Sequence, residues 1–318
     1  MTVNGPVEAG KIGRTLAHEH ILVDFSGADD YDPDAWNQEE VVKALLPYLQ
    51  QLKLLGFSTF FEFTPEFLGR DPYILRLLST QSGLNIVTNT GYYGAVDNKY
   101  LPSTARNATA ETLAQIWIDE FQHGIRRTGI KPGFIKISVN PGPLSELHKK
   151  LVKAAALTHL ETGLSIASHT GPSEPAFQQI EVLKELGVHP SAFVWVHAQN
   201  EKDQHHYLEA AKMGAWVSLD GIQQDNVEEY AQRLDRMKQN GYLHKVLISQ
   251  DAGWYEPGKP WNGPERMYTD ISNYLIPKLK SMGFTGNNIK QLLEINPQKA
   301  FAISVKQLPS SPHSTTSK

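Results

Sequence analysis

Leu16-Ala17-His18-Glu19-His20-Ile21-Leu22-Val23-Asp24 reads as a β-strand: apolar side chains surround a His-x-His pair. In an extended chain, residues i and i+2 project from the same face. His18 and His20 therefore point together and Glu19 points away, with the imidazoles about 6–7 Å apart along the chain. Such a pair can ligate one metal ion, or it can be two core histidines with hydrogen-bond partners. Ligands arriving at matching positions on later strands would decide between these readings.

The rest of the chain repeats this strand followed by a helix. After a polar loop, Gln38–Leu55 carries apolar residues at helical spacing and stops at Gly56. The next strands are Phe57–Thr64, Leu84–Asn89, Phe134–Val139, Leu164–His169, Phe193–His197, Ala215–Asp220 and Lys245–Asp251, with helical patterns between them. Strands alternating with helices imply a parallel sheet. Eight such units are the count of a closed α/β barrel, the (β/α)8 TIM barrel. An open doubly wound sheet would favour a glycine-rich phosphate loop after the first strand, and none stands there. One barrel domain over residues 1–304 is expected, with a Ser-, Pro- and Thr-rich tail over 305–318 expected to be disordered.

The 318 residues are 40% hydrophobic and 20% charged, the composition of a globular protein with ample core. A net charge of −4 without a basic run leaves no electrostatic footprint for nucleic acid. No apolar run is long enough to span a bilayer. Cysteine is absent, so any metal must rest on His, Asp, Glu or an unusual ligand. Without a recognisable leader at Met1-Thr2-Val3, a cytoplasmic location is the expectation; a periplasmic one would require a leader removed upstream.

The candidate ligands fall where a barrel enzyme carries its chemistry, at the C-terminal ends of strands. His169 closes the fifth strand, His197 the sixth and Asp251 the eighth. Of the 12 histidines, His123, His148, His159, His189, His205, His206, His244 and His313 fall in helices, loops or the tail, where surface or capping roles are expected. Lys136 sits mid-strand among Phe134, Ile135, Ile137 and Val139, where a lysine is costly unless paired. It could snorkel to water from a rim position. Desolvated near cations, its free amine could instead take up carbon dioxide and become a carbamate, an oxygen ligand.

In this order and at these strand positions, the motifs resemble the phosphotriesterase-related family of the amidohydrolase superfamily. The resemblance spans residues 3–303 and rests on Thr15-Leu16-Ala17-His18-Glu19-His20, Gly133-Phe134-Ile135-Lys136, Ser168-His169-Thr170, Val196-His197-Ala198, Ser249-Gln250-Asp251 and Asn296-Pro297. It implies a metal-dependent hydrolase with a binuclear centre, usually zinc, with manganese, cobalt or iron as alternatives. His18, His20 and Asp251 would hold the buried metal, and His169 and His197 the exposed one. Carboxylated Lys136 and a hydroxide would bridge them, with Asp251 accepting the proton of the hydroxide and passing it to the leaving group. A homodimer is also implied.

Substrate residues are sought in the loops. Tyr93, in Thr90-Gly91-Tyr92-Tyr93, matches a tyrosine that contacts substrate in the resembling lactonases, with Tyr92 the lesser candidate. Those lactonases often carry an arginine just after the aspartate ending the seventh strand; here the sequence is Asp220-Gly221. That departure speaks against an acyl-homoserine lactonase and leaves Asp220 as a candidate polar contact. Trp254 is the candidate lid. The expectation is hydrolysis of a small carboxylic ester, foremost a lactone. The alternative is an amide such as an N-acyl amino acid, with phosphotriester cleavage at most promiscuous. A non-catalytic binder on a dead hydrolase barrel is the reading from another class.

Overall fold

Parallel pairing of consecutive strands organises the protein, whose computed structural model describes residues 1–309. The strands are β1 (Thr15–Glu19), β2 (Thr59–Glu62), β3 (Asn85–Val87, resuming at Asn89–Thr90), β4 (Phe134–Ser138), β5 (Ile166–His169), β6 (Phe193–Val196), β7 (Trp216–Leu219) and β8 (Val246–Ile248). Each pairs in parallel with its successor, and the ladder lapses only at Thr88, within β3. The ring closes between β8 and β1. Ser249 Oγ accepts from the His18 N–H at 2.9 Å, and the Asp251 and His20 N–H groups bond His18 O at 3.2 Å and Ala252 O at 2.9 Å. The result is the expected (β/α)8 barrel, with no open edge to protect.

The outer layer consists of α1 (Gln38–Leu54), α2 (Pro72–Ser82), α3 (Ser103–Asn107), α4 (Ala110–His123), α5 (Glu146–Thr162), α6 (Ser173–Glu185), α7 (His205–Met213) and α8 (Val227–Gln239). The apolar spacing over 265–282 predicts a helix; it begins later, as a π-helical turn, Ile271–Leu275, running into α9 (Ile276–Ser281). Another π turn, Gln291–Ile295, links α10 (Gly286–Lys290) to α11 (Asn296–Phe301). Among the described residues, no helix is long and apolar enough to cross a membrane.

The two-residue period of the strands sorts the side chains. Along β4, Ile135 and Ile137 pack outward beneath the helices, while Phe134 joins Ala17, Phe61, Phe63, Val87, Ala167, Val194, Trp216, Leu247 and Phe301 in the barrel interior. Alternation then turns Lys136 inward, directly above Phe134. β1 departs from simple alternation. Its register to β2 shifts between Leu16 and Glu19, a bulge that lets Ala17 and His18 both serve the interior. The strand also ends at Glu19, earlier than the apolar run to Asp24 suggests; Leu22 and Val23 pair instead with Tyr255 in the loop after β8.

Of the segment beyond residue 304, residues 305–309 are described and lie against the barrel. The Lys306 N–H bonds His159 Nε2 at 2.9 Å, and Gln307 bridges to Val188. The remainder, 310–318, lies outside the described residues. His159 and His148 are buried, not surface residues: His159 Nδ1 is 2.8 Å from Leu164 O, and His148 Nε2 is 2.9 Å from Gly94 O.

Candidate metal centre

Strand ends bring the singled-out side chains to one place. His18, His20, Lys136, His169, His197 and Asp251 line a single cavity of about 100 Å³ at the C-terminal face of the barrel. The Nε2 atoms of His18 and His20 are 3.2 Å apart. Asp251 Oδ1 is 3.0 Å from His20 Nε2 and 3.5 Å from His18 Nε2. The His169 and His197 rings meet edge-on at 4.3 Å, and His197 is 5.1 Å from His18. Phe63 forms the floor, stacked on His18 at 4.1 Å, with Lys136 Nζ 4.9 Å from its ring centre.

Holding these groups together requires unusual backbone. His197 (φ 60°), Asp251 (φ 53°) and Trp254 (φ 63°) all occupy the left-handed region, which costs a side-chain-bearing residue about 1–2 kcal/mol. Such conformations persist where surrounding contacts impose them. Two glycines permit close approach. A Cβ on Gly91 would lie 2.1 Å from Lys136 O, and one on Gly253 would lie 2.0 Å from His20 O.

Burial sets the protonation states. It pushes Lys136 down to about 8 against the opposing pull of Asp220, Asp251 and Glu62. It lowers His18 and His20, takes His197 down to about 4, and with His197 and Lys136 as neighbours carries His169 well below the ordinary histidine range. For Asp251, burial alone would raise the carboxyl, but the hydrogen bond with His20 and the nearby His18 and His197 outweigh it and hold the carboxyl far below its usual range. At neutral pH the cluster therefore presents neutral imidazoles and a carboxylate, the protonation state a metal requires of its ligands.

The cluster has the chemistry of a cation site. His18, His20 and Asp251 each offer a ligand atom within 4.8 Å of the others. Among the described residues, Lys136 Nζ is buried with no hydrogen-bond partner, a state costly for an amine that nothing else engages. Nitrogen and oxygen donors without sulfur suit zinc and its first-row neighbours. The residues present fit a pair of divalent cations.

Asp220, considered as a substrate contact, is fully buried behind the imidazoles. Its Oδ2 accepts from the His197 N–H at 2.9 Å and lies 3.5 Å from His18 Nδ1 and 3.6 Å from His197 Nδ1, while Ser218 donates to Oδ1 at 2.7 Å. One carboxylate thus holds the His197 backbone and faces two imidazoles from behind. Tyr92 also lies away from the cavity, its ring against Phe67 and Trp117, because the turn after β3 sends Tyr92 outward and Tyr93 inward. Tyr93 and Trp254 do line the cavity. The Tyr93 hydroxyl is 3.1 Å from His169 Nδ1, and Trp254 stands edge-on to His20 at 5.9 Å.

Two supporting residues escaped the sequence reading. Glu19 points away from the cavity, as its parity requires, and accepts from Ser249 Oγ at 2.6 Å, Gln250 N at 3.0 Å and Ala252 N at 2.7 Å, fixing the backbone on both sides of Asp251. Its place inside the His-x-His motif was the available signal. Arg266 offered none: the sequence reads there as the start of a helix, whereas the structure leaves it in the loop before Ile271.

The phosphotriesterase family model matches residues 1–301. An aryldialkylphosphatase of Saccharolobus solfataricus is 27% identical, covering 93% of this chain and 97% of that protein. An N-acetyltaurine hydrolase of Xenopus tropicalis is 27% identical, with coverages of 94% and 96%. Among solved structures, a variant of a PTE-like lactonase from Deinococcus radiodurans superposes with a TM-score of 0.85 at 27% identity, covering 95% of this chain and 99% of that one. With a matching barrel and a family model spanning nearly the whole sequence, the chain belongs to the phosphotriesterase family.

Proposed function

We propose that this phosphotriesterase-family, metal-dependent hydrolase opens small neutral lactones or cleaves comparable carboxylic esters. The observation that carries this reading is the lining of the cavity. Above the ligand cluster its walls are Val23, Phe25, Pro65, Leu68, Tyr93 and Trp254, and the only basic groups among the lining residues belong to the cluster itself. Such walls accept an uncharged, compact acyl group and offer nothing to a carboxylate or sulfonate arm.

His18, His20 and Asp251 would hold one cation and His169 and His197 the other, with Lys136 between them as a carbamate. When bound, the cations supply Lewis acidity for the scissile carbonyl and a water acidified to near neutrality. The chain's own residues do the rest. Asp251, ionised at neutral pH, keeps a carboxylate oxygen beside His20 where it can take a proton from the attacking water and return it to the leaving alkoxide. The Tyr93 hydroxyl at the cavity wall can donate to the substrate's oxygen, and burial, with Asp251 and Tyr100 nearby, raises its pKa so that it keeps its proton. Trp254 and Phe25 shield the reacting atoms from bulk water.

Names of relatives cover lactone, phosphoester and amide substrates, so the bond is tested directly. Zinc-reconstituted protein is assayed against γ- and δ-lactones, N-acyl amino acids and N-acyl taurines, and aryl phosphotriesters. Lactones are expected to give the highest kcat/KM. An N-acyl amino acid or N-acyl taurine turned over faster than every lactone would replace this reading with the amide one.

A further inference from the structure

We propose that Arg266, in the loop following β8, is a positioning residue that clamps Asp251 and Trp254 at the cavity. The inference rests on the hydrolase reading above for what Asp251 does, and on geometry alone for what Arg266 touches. Its Nη1 donates to Asp251 Oδ2 at 2.8 Å and to Asp251 O at 3.2 Å, holding side chain and backbone of one residue together. The same guanidinium lies 5.2 Å from the Trp254 ring centre.

Asp251 and Trp254 are two of the three cavity-lining residues held at positive φ, and Arg266 touches both. The carboxylate's two oxygens are thereby assigned. Oδ1 faces His20 and His18, and Oδ2 is held by arginine. A terminal carboxylate torsion is otherwise broad and close to two-fold, so without a partner on Oδ2 the group can rotate away from its working orientation. Trp254 is flanked by His20, by Phe25 and by the guanidinium, the last a cation–π contact.

The guanidinium borders position 221, the first residue after the aspartate that follows β7, which has no side chain. A Cβ there would lie 3.9 Å from Arg266 Nη1, with Gln199 Nε2 at 3.8 Å and the Tyr230 hydroxyl at 3.4 Å. Any longer side chain directed along that bond would contest the guanidinium's place. Arg266 is absent from the cavity lining, which separates a positioning role from direct substrate binding.

The test uses full-length protein with Arg266→Met, which keeps the stem, and Arg266→Lys, which restores the charge without the planar fork. In Arg266→Met, kcat is expected to fall about 10–100-fold with KM changed less than about threefold, and Arg266→Lys to recover part of the loss. A second readout needs neither metal nor substrate. The Trp254 contribution to fluorescence, obtained by subtracting Trp254→Phe and Trp254→Phe/Arg266→Met, should become more open to acrylamide quenching when Arg266 is replaced. Were the wild type inactive on every substrate, the functional reading would fail while this arm still judged the clamp. Unchanged kcat, unchanged quenching, or a rise in KM confined to anionic substrates would each overturn the proposal. Should Arg266→Met not fold, Arg266→Lys decides by the same two readouts.

Discussion

Lys136 shows how one residue can be read both ways until its surroundings are known. The strand pattern marked it as inward or snorkelling; the structure buries it with no hydrogen-bond partner among the described residues. If it carries a carbamate that bridges two cations, Lys136→Ala should lose metal as well as rate. Elemental analysis is expected to show fewer than two ions per chain, with kcat/KM down by at least about 10³-fold, whereas two retained ions and full activity would refute the bridging role. Glu19 makes a separate case. Glu19→Leu removes the acceptor of the Ser249 hydroxyl and of the Gln250 and Ala252 N–H groups, and is expected to destabilise the fold by about 1–3 kcal/mol in urea unfolding, with reduced kcat because the displaced backbone carries Asp251. The clustering of His18, His20, Lys136, His169, His197 and Asp251 was legible because each chemistry-bearing residue interrupts or closes an apolar strand. Arg266 and the tucked position of Asp220 were not, since both depend on contacts between loops distant in sequence.

At the level of elements, strand order and the longer helices were readable, and the exceptions have local causes. β3 lapses at Thr88, β1 carries a bulge, and the late helices pass through π turns, each a one-residue departure that periodicity cannot register. Helix α6 offers a test of capping. It follows Pro172, which makes no side-chain cap, and the Ser173 N–H is accepted by Glu201, from the loop after β6, at 2.9 Å. Burial would raise the Glu201 carboxyl, but the bonds from Ser173 and the Asp203 N–H, with His206 close by, hold it down at about 2. A carboxyl with a depressed folded-state pKa contributes stability above its unfolded value near 4.5 and loses it as pH falls toward 2. Glu201→Gln should therefore cost about 1 kcal/mol at pH 7 by urea unfolding, solvent screening reducing the effect, with the gap to wild type closing between pH 4.5 and 2. A gap of constant size across that window would show that the charge is not what matters.

For the whole molecule, chemistry sits at one end of the barrel and both described chain ends at the other. The Val3 N–H bonds Ile86 O at 2.9 Å, and residues 304–308 strap the turns before β5 and β6, with Ser304 N to Gly163 O at 3.0 Å and Leu308 N to Gly187 O at 2.8 Å. Ending the chain at Ile303 removes the bonds of Ser304 and Leu308 and frees the residues that make them, so the two effects largely offset. The melting temperature is expected to fall by only a few degrees, with kcat unchanged; a tenfold loss of kcat would tie the strap to the site. Cation removal should act in the opposite sense. Dialysis against a chelator is expected to abolish hydrolysis and lower the melting temperature, both recovering on addition of zinc, because ions that bind only the folded state stabilise it by mass action. Full activity after complete removal would instead leave a metal-free barrel as the catalyst.

Gly91 has a bearing on how new specificities could be reached from this scaffold. Its missing side chain allows the turn after β3 to lie against the carbonyl of Lys136, so any other residue there would push the lysine strand aside. A combinatorial library aimed at the substrate should therefore hold position 91 invariant and diversify its neighbour Tyr93 together with Phe25, Leu68 and Trp254. Random change across the whole Thr90–Gly94 turn would fill the library with members that lose the metal ligands before they can acquire a new substrate.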